Sequence, residues 1–136
     1  MGKEHTFYDY IDAGGGGSNI IKGWLNDGGS SANANFINRI ELLAASPPSG
    51  FVDSVWQPPF VIPLKGHWKG FIEMRTKANN NQYRLIGKKV NRDIFLVTWG
   101  FHDGKGWHPN VTPATAQERV TQMMENLGKY GREHEI

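Results

Sequence analysis

The stretch that decides the fold runs from Trp68 to Trp99, WKGFIEMRTKANNNQYRLIGKKVNRDIFLVTW. Ile72 and Met74 alternate with Phe71, Glu73 and Arg75, a period of two that sends one set of side chains to a core and leaves the other to present charge. Tyr83 and Leu85 oppose Arg84 in the same way. The separators Ala78-Asn79-Asn80-Asn81 and Lys89-Val90-Asn91-Arg92 are short and polar, as hairpin connections are, so the stretch predicts strands over 68–77, 82–88 and 93–99. Arg75 and Arg84 then share an exposed sheet face, provided the hairpin register brings them opposite one another.

Upstream, His5 to Ile11 is rich in aromatic and β-branched residues and reads as a strand, followed by a loop at Gly14 to Gly17. Ser18 or Asn19 caps a short helix with Ile20, Ile21, Trp24 and Leu25 on one stripe. Ser30 or Ser31 caps a longer one carrying Ala32, Phe36, Ile40 and Leu43, widened by Ile37 and Leu42. Pro47 and Pro48 stop it. Residues 46–67 hold five of the seven prolines and read as a long connection into an edge strand near Phe60 to Leu64. Downstream, Gly100 to Asn110 reads as a loop. Thr112 and Pro113 open a helix with Ala116, Val120, Met123, Met124 and Leu127 at helical spacing, and the tail 129–136 is expected to fray.

The chain has 136 residues, the size of one domain, and no cysteine, which excludes disulfides, thiolate metal sites and thiol catalysis. No apolar run reaches the ~20 residues of a membrane span, and the opening residues lack an apolar signal segment. The expectation is a soluble, cytoplasmic protein with no membrane partner. The net charge of +2 is unevenly distributed: residues 1–60 carry −3, residues 61–112 carry +6 and the remainder −1. A basic middle segment suits a polyanion such as RNA, and a solvated sheet surface is the competing reading. Gly14 to Gly17 lacks the Gly-Lys-Ser/Thr end of a phosphate loop, and no dinucleotide fingerprint is present. His5, His67, His102, His108 and His134 show no metal-ligand spacing, and no Gly-x-Ser-x-Gly occurs, so neither a metal nor another cofactor is expected.

A longer pattern remains: Leu64-Lys65-Gly66-His67-Trp68-Lys69-Gly70-Phe71-Ile72-Glu73-Met74-Arg75, then Gln82-Tyr83-Arg84-Leu85, then an apolar strand ending in Gly100-Phe101-His102, then Thr112-Pro113 opening a helix with Ala116 and Arg119. In order and spacing this resembles the RelE/HigB type of toxin from type II toxin–antitoxin systems, in its phage-derived branch, over residues 19–128. The resemblance implies a single α+β domain, with two N-terminal helices packed on a small, twisted, mostly antiparallel sheet and a C-terminal helix. It also implies a metal-independent endoribonuclease acting on messenger RNA at the ribosome and neutralised by a cognate antitoxin, expected to be a helix-turn-helix protein. The alternative is a non-catalytic protein on the same fold that binds and inhibits a host factor.

Carried over by position, Arg75 and Arg84 match the family's strand arginines and would stabilise the charge that develops when a ribose 2′-OH attacks the adjacent phosphate. His102 is the proton-carrier candidate, and Lys65, Lys69 and Lys105 are the RNA-binding candidates. Phe71 and Glu73 depart from the pattern, standing where the family has lysines. Each assignment has a plainer counterpart: the arginines pair with Glu73, Asp93 or solvent, His102 is a turn residue, and the lysines are solvated. Trp68, Trp99, Trp107 and Phe101 fit a core better than a base-stacking surface.

Overall fold

The computed structural model describes residues 4–27, 30–46, 61–78, 81–102 and 107–134. The elements are strand β1 (Thr6–Asp12), β2 (Ser18–Asn19), helices α1 (Ile20–Asp27) and α2 (Ser30–Ala45), strands β3 (Val61–Pro63), β4 (Ile72–Ala78), β5 (Asn81–Val90), β6 (Asp93–His102) and β7 (Trp107–Pro109), helices α3 (Pro113–Glu125) and α4 (Leu127–Tyr130), and strand β8 (Gly131–Glu133). The chain is α+β, with a mostly antiparallel sheet of order β2-β1-β6-β5-β4-β3. β7 pairs with β6, and β8 with β1. Only β1 and β6 run parallel among the described pairs, Phe7 lying opposite Ile94.

Helices cover both faces. On one, Ile21 and Leu25 of α1 and Phe36, Ile40 and Leu43 of α2 pack with Phe7, Ile72, Met74, Leu85, Ile94 and Leu96 of the strands. Each fully buried aliphatic or Phe side chain here contributes about 1.5–3 kcal/mol. Trp24 braces this layer, stacking on Trp99 with ring centres 5.5 Å apart and touching Phe36 and Tyr83 edge-on or tilted. On the other face, Ala116, Val120 and Met123 of α3 cover Tyr10, Phe71, Ile86, Phe95 and Val97, with Leu127 and Tyr130 of α4 at the margin. Thr112 caps α3 by accepting from the Thr115 N–H, and Pro113 sits in its first turn, as its sequence predicts.

Several expectations need correction. The sheet is not small: eight strands belong to it among the described residues, and the strand read at His5 to Ile11 is present as β1, so the two helices are not the first elements, as the resemblance implied. The strand expected from Trp68 starts at Ile72, because residues 66–68 form a 3₁₀ turn and Gly70 takes a left-handed φ of 95°. Trp68 folds back edge-on against Phe71 instead. β6 continues through His102, past the expected start of a loop at Gly100, because Gly100 to His102 gain β7 as an antiparallel partner. The tail is not frayed through Glu133: Gly131 to Glu133 pair with Tyr8 to Tyr10, and the His134 N–H donates to the Phe7 carbonyl. Leu42 and Met124, counted on apolar stripes, are exposed. A bulge between β5 and β6 leaves Val97 between the pairs Ile86–Thr98 and Gly87–Leu96. Gly87 is required there, since a Cβ would lie 2.7 Å from the Phe95 carbonyl oxygen.

His5 is buried where the start of β1 meets the end of α2, its N–H donating to the Ala44 carbonyl. Burial, with Lys89 nearby, lowers its pKa below the ordinary 6.5. The folded chain therefore resists a proton that the unfolded chain accepts. Stability from this group is complete above about pH 6.5 and falls as the pH drops below it, by at most about 1.4 kcal/mol per pH unit. Denaturant titrations between pH 7.5 and 5 (roughly the window in which this histidine titrates) should show that loss, and His5→Gln should flatten it.

Candidate active site

Residues directly opposite in an antiparallel ladder share a face. Arg75 of β4 lies opposite Arg84 of β5, which lies opposite Gly100 of β6, while Glu73 lies opposite Ile86, itself opposite Thr98. Ile86 belongs to the core beneath α3. By alternation Glu73, Arg75, Arg84 and Thr98 therefore share the α3 face of the sheet, opposite the α1–α2 pair. The two arginines share one face as expected, but it is not the exposed face expected: Glu73 and Thr98 are buried on it and only Arg75 reaches well into solvent, while Gly100 leaves the adjoining lane without a side chain.

What joins them is Glu73. Its side chain is 0% exposed, and Oε1 lies 2.5 Å from Arg75 Nε and 3.6 Å from Arg84 Nη1. The Arg84 side chain is 13% exposed and that of Arg75 38%, so Arg84 is held inside while Arg75 reaches solvent. Arg84 Nη2 also donates to Gln82 Oε1 at 3.3 Å. Burial lowers the Arg84 pKa, with Arg75 acting the same way and Glu73 opposing both; the guanidinium stays charged at any physiological pH. Two cations and one carboxylate leave the cluster one positive charge.

The fold does not meet every polar atom here. Glu73 Oε2 and Thr98 Oγ1 are buried and lack a hydrogen-bond partner among the described residues. Buried polar groups of this kind cost about 1–3 kcal/mol each when unmet. The net-cationic patch can meet an anion through Arg75, which reaches solvent, while Arg84 holds its charge close behind; Glu73 Oε2, an acceptor, takes no part in holding one.

The other expected residues are placed less closely. The His102 backbone pairs with Gln82 on one side and Trp107 on the other, next to the arginine lane. Lys65 and Lys69 are exposed on the loop entering β4. Lys65 lines a cavity of about 620 Å³ with His67, Trp68 and the start of α3. Lys105 lies outside the described residues. Trp99 and Trp68 are packed into the two cores. The residue whose role sequence reasoning missed is Glu73, taken only as a departure and possible partner. Its signal was present, an acid between Ile72 and Met74 on the strand that carries Arg75.

No family model, characterised protein or solved structure matches the chain.

Glu73→Ala leaves the buried Arg84 without its carboxylate and should destabilise the fold by about 3 kcal/mol, the lower end of the range for breaking a buried pair because Arg75 reaches water. Chemical denaturation of the two proteins measures this directly.

Proposed function

We propose that the chain is a RelE/HigB-like toxin of the phage-derived branch that cleaves ribosome-associated messenger RNA without a metal. The observation that supports this most is the Arg75–Arg84 pair, set across adjacent strands on the face away from α1 and α2 and gathered by one buried carboxylate. In the proposed reaction a ribose 2′-OH loses its proton and attacks the adjacent phosphorus. The P–O5′ bond breaks, and the products are a 2′,3′-cyclic phosphate and a 5′-hydroxyl that gains a proton. The crowded phosphorane carries extra negative charge. Arg75 meets it with a planar, two-pronged donor that a lysine cannot reproduce, and Arg84 adds field from behind.

Glu73 acts as a positioning residue that fixes both guanidinium groups before substrate arrives, which lowers the entropic cost of the productive geometry. His102, at the end of β6 beside Gln82, is the proton carrier in this reading. Lys65, Lys69 and Lys105 draw in the RNA backbone through charge. The partners are mRNA and the ribosome, with a helix-turn-helix antitoxin as neutraliser, and the site of action is the cytoplasm. Among the described residues no helix is long and apolar enough to cross a membrane.

Glu73 also favours a second reading. Because a carboxylate already engages both arginines, the same face suits a non-catalytic protein that binds and inhibits a host factor. The two readings separate on cleavage. Expression of the chain should arrest growth and produce new transcript ends mapped by primer extension. Arg75→Ala and Arg84→Ala should each lower cleavage by about 100-fold or more, and the folded double variant should abolish it. Growth arrest with intact transcripts selects the binder, and full cleavage by the double variant ends the nuclease assignment.

A further inference from the structure

A cleft opens where the turn before β4 meets the start of α3. Its volume is about 620 Å³, within the range of small-molecule sites, and Lys65, His67, Trp68, Thr112, Pro113 and Ala114 line it. None of these residues is buried, so each has surface to offer a ligand. The 3₁₀ turn holds its side of the cleft in shape: the Trp68 N–H donates to the Lys65 carbonyl at 3.2 Å and the Lys69 N–H to the Gly66 carbonyl at 3.1 Å. The Trp68 ring stands at 78° to that of Phe71 with centres 5.5 Å apart. That contact fixes the indole while part of it stays open to the cleft, whereas Trp99 is stacked on Trp24.

Two chemistries meet here. Trp68 and Pro113 give the cleft apolar walls, Lys65 brings a cation and His67 an imidazole able to donate, and no acidic side chain lines it among the described residues. Lys88 adds a cation beside Phe71, its Nζ 5.5 Å from the ring centre and donating to Gln117 Oε1 at 3.1 Å. The start of α3 serves as a wall and not as a set of donors, since Thr112 caps that first turn itself. A flat ring joined to an anion is the composition of a nucleotide. Phe71, which Trp68 leans on, shares the α3 face with Arg75 four residues further along, roughly 13 Å at the rise of a strand, so one RNA strand spans both places. Building on the reading of the chain as an RNA-cleaving protein, we infer that this cleft is a nucleotide subsite, where a base stacks on Trp68 against Pro113 and its phosphate is held by Lys65 and His67. Stacking tolerates any base, so the subsite fixes where the strand lies more than which sequence it carries.

The test uses the full chain, uniformly ¹⁵N-labelled and titrated separately with AMP, UMP and inorganic phosphate, while NMR follows the Trp68 indole N–H and the Ala114 amide. At least one nucleotide should shift both signals saturably and bind more tightly than phosphate. Trp68→Leu should weaken that binding, read at Ala114, by about fivefold or more, and Trp68→Phe, which keeps a ring, should restore most of it. Lys65→Ala with His67→Ala changes only exposed side chains and should weaken it by about fivefold with the fold intact. The folded Arg75→Ala, Arg84→Ala double variant should bind the nucleotide as the wild type does. Nucleotide binding by a chain that cuts no transcript would keep the subsite and end the nuclease assignment. Phosphate binding as tightly as both nucleotides, no saturable shift with either, or equal affinity in wild type and Trp68→Leu would overturn the subsite, whether or not the chain cleaves RNA.

Discussion

A carboxylate with no exposed surface in the middle of a sheet is costly unless cations meet it, and Glu73 is met by two. That requirement constrains its surroundings. Arg84 must remain inside the α3 face, and Arg75 must turn back along its own strand to reach Oε1. The β4–β5 register that places the two arginines opposite each other also places Ile86 opposite Glu73, so the ion cluster and the α3 core share one strand pair. A slip of one residue would carry each member of β5 to the wrong face and take Arg84 away from the acid, leaving Arg75 alone to meet it.

Much of this was legible in the sequence because it is local. The alternation through Ile72, Glu73, Met74 and Arg75 fixes which side chains share a face, and the hairpin that follows is short enough to set Arg75 opposite Arg84. Asn91, with φ of 56°, makes the next turn, and its residue type suits that conformation. The cap and proline of α3 were equally plain. The function of Glu73 was harder to read, since an acid on an exposed face and an acid buried between arginines give the same alternation. Burial depends on what lies above the sheet, which the alternation along one strand does not carry.

The rest was hidden because it is made across the chain. β1 joins β6 in parallel and β8 in antiparallel fashion over separations that leave no local period. His134 meets Asp9 from 125 positions away, and nothing about a histidine in a polar tail signals that partner. β6 outran its expected end because Gly100 has low strand preference by itself, and the backbone pairing from β7 outweighs it. The outcome is a sheet with two chemically distinct faces: a net-cationic cluster on the α3 side, and a buried histidine–aspartate pair beside α1. Neither face borrows a side chain from the other, so evolution or engineering can alter one while the sheet between them carries the stability of both.

The central claim is that Glu73 and Arg84 depend on each other. The most direct measurement is a double-mutant cycle in denaturant with Glu73→Gln, Arg84→Gln and the pair together. A coupling of about 2 kcal/mol, with the double variant more stable than the sum of its parts, is the predicted result. Changes that add to within about 0.5 kcal/mol would contradict it, and would mean that the two side chains merely lie near one another.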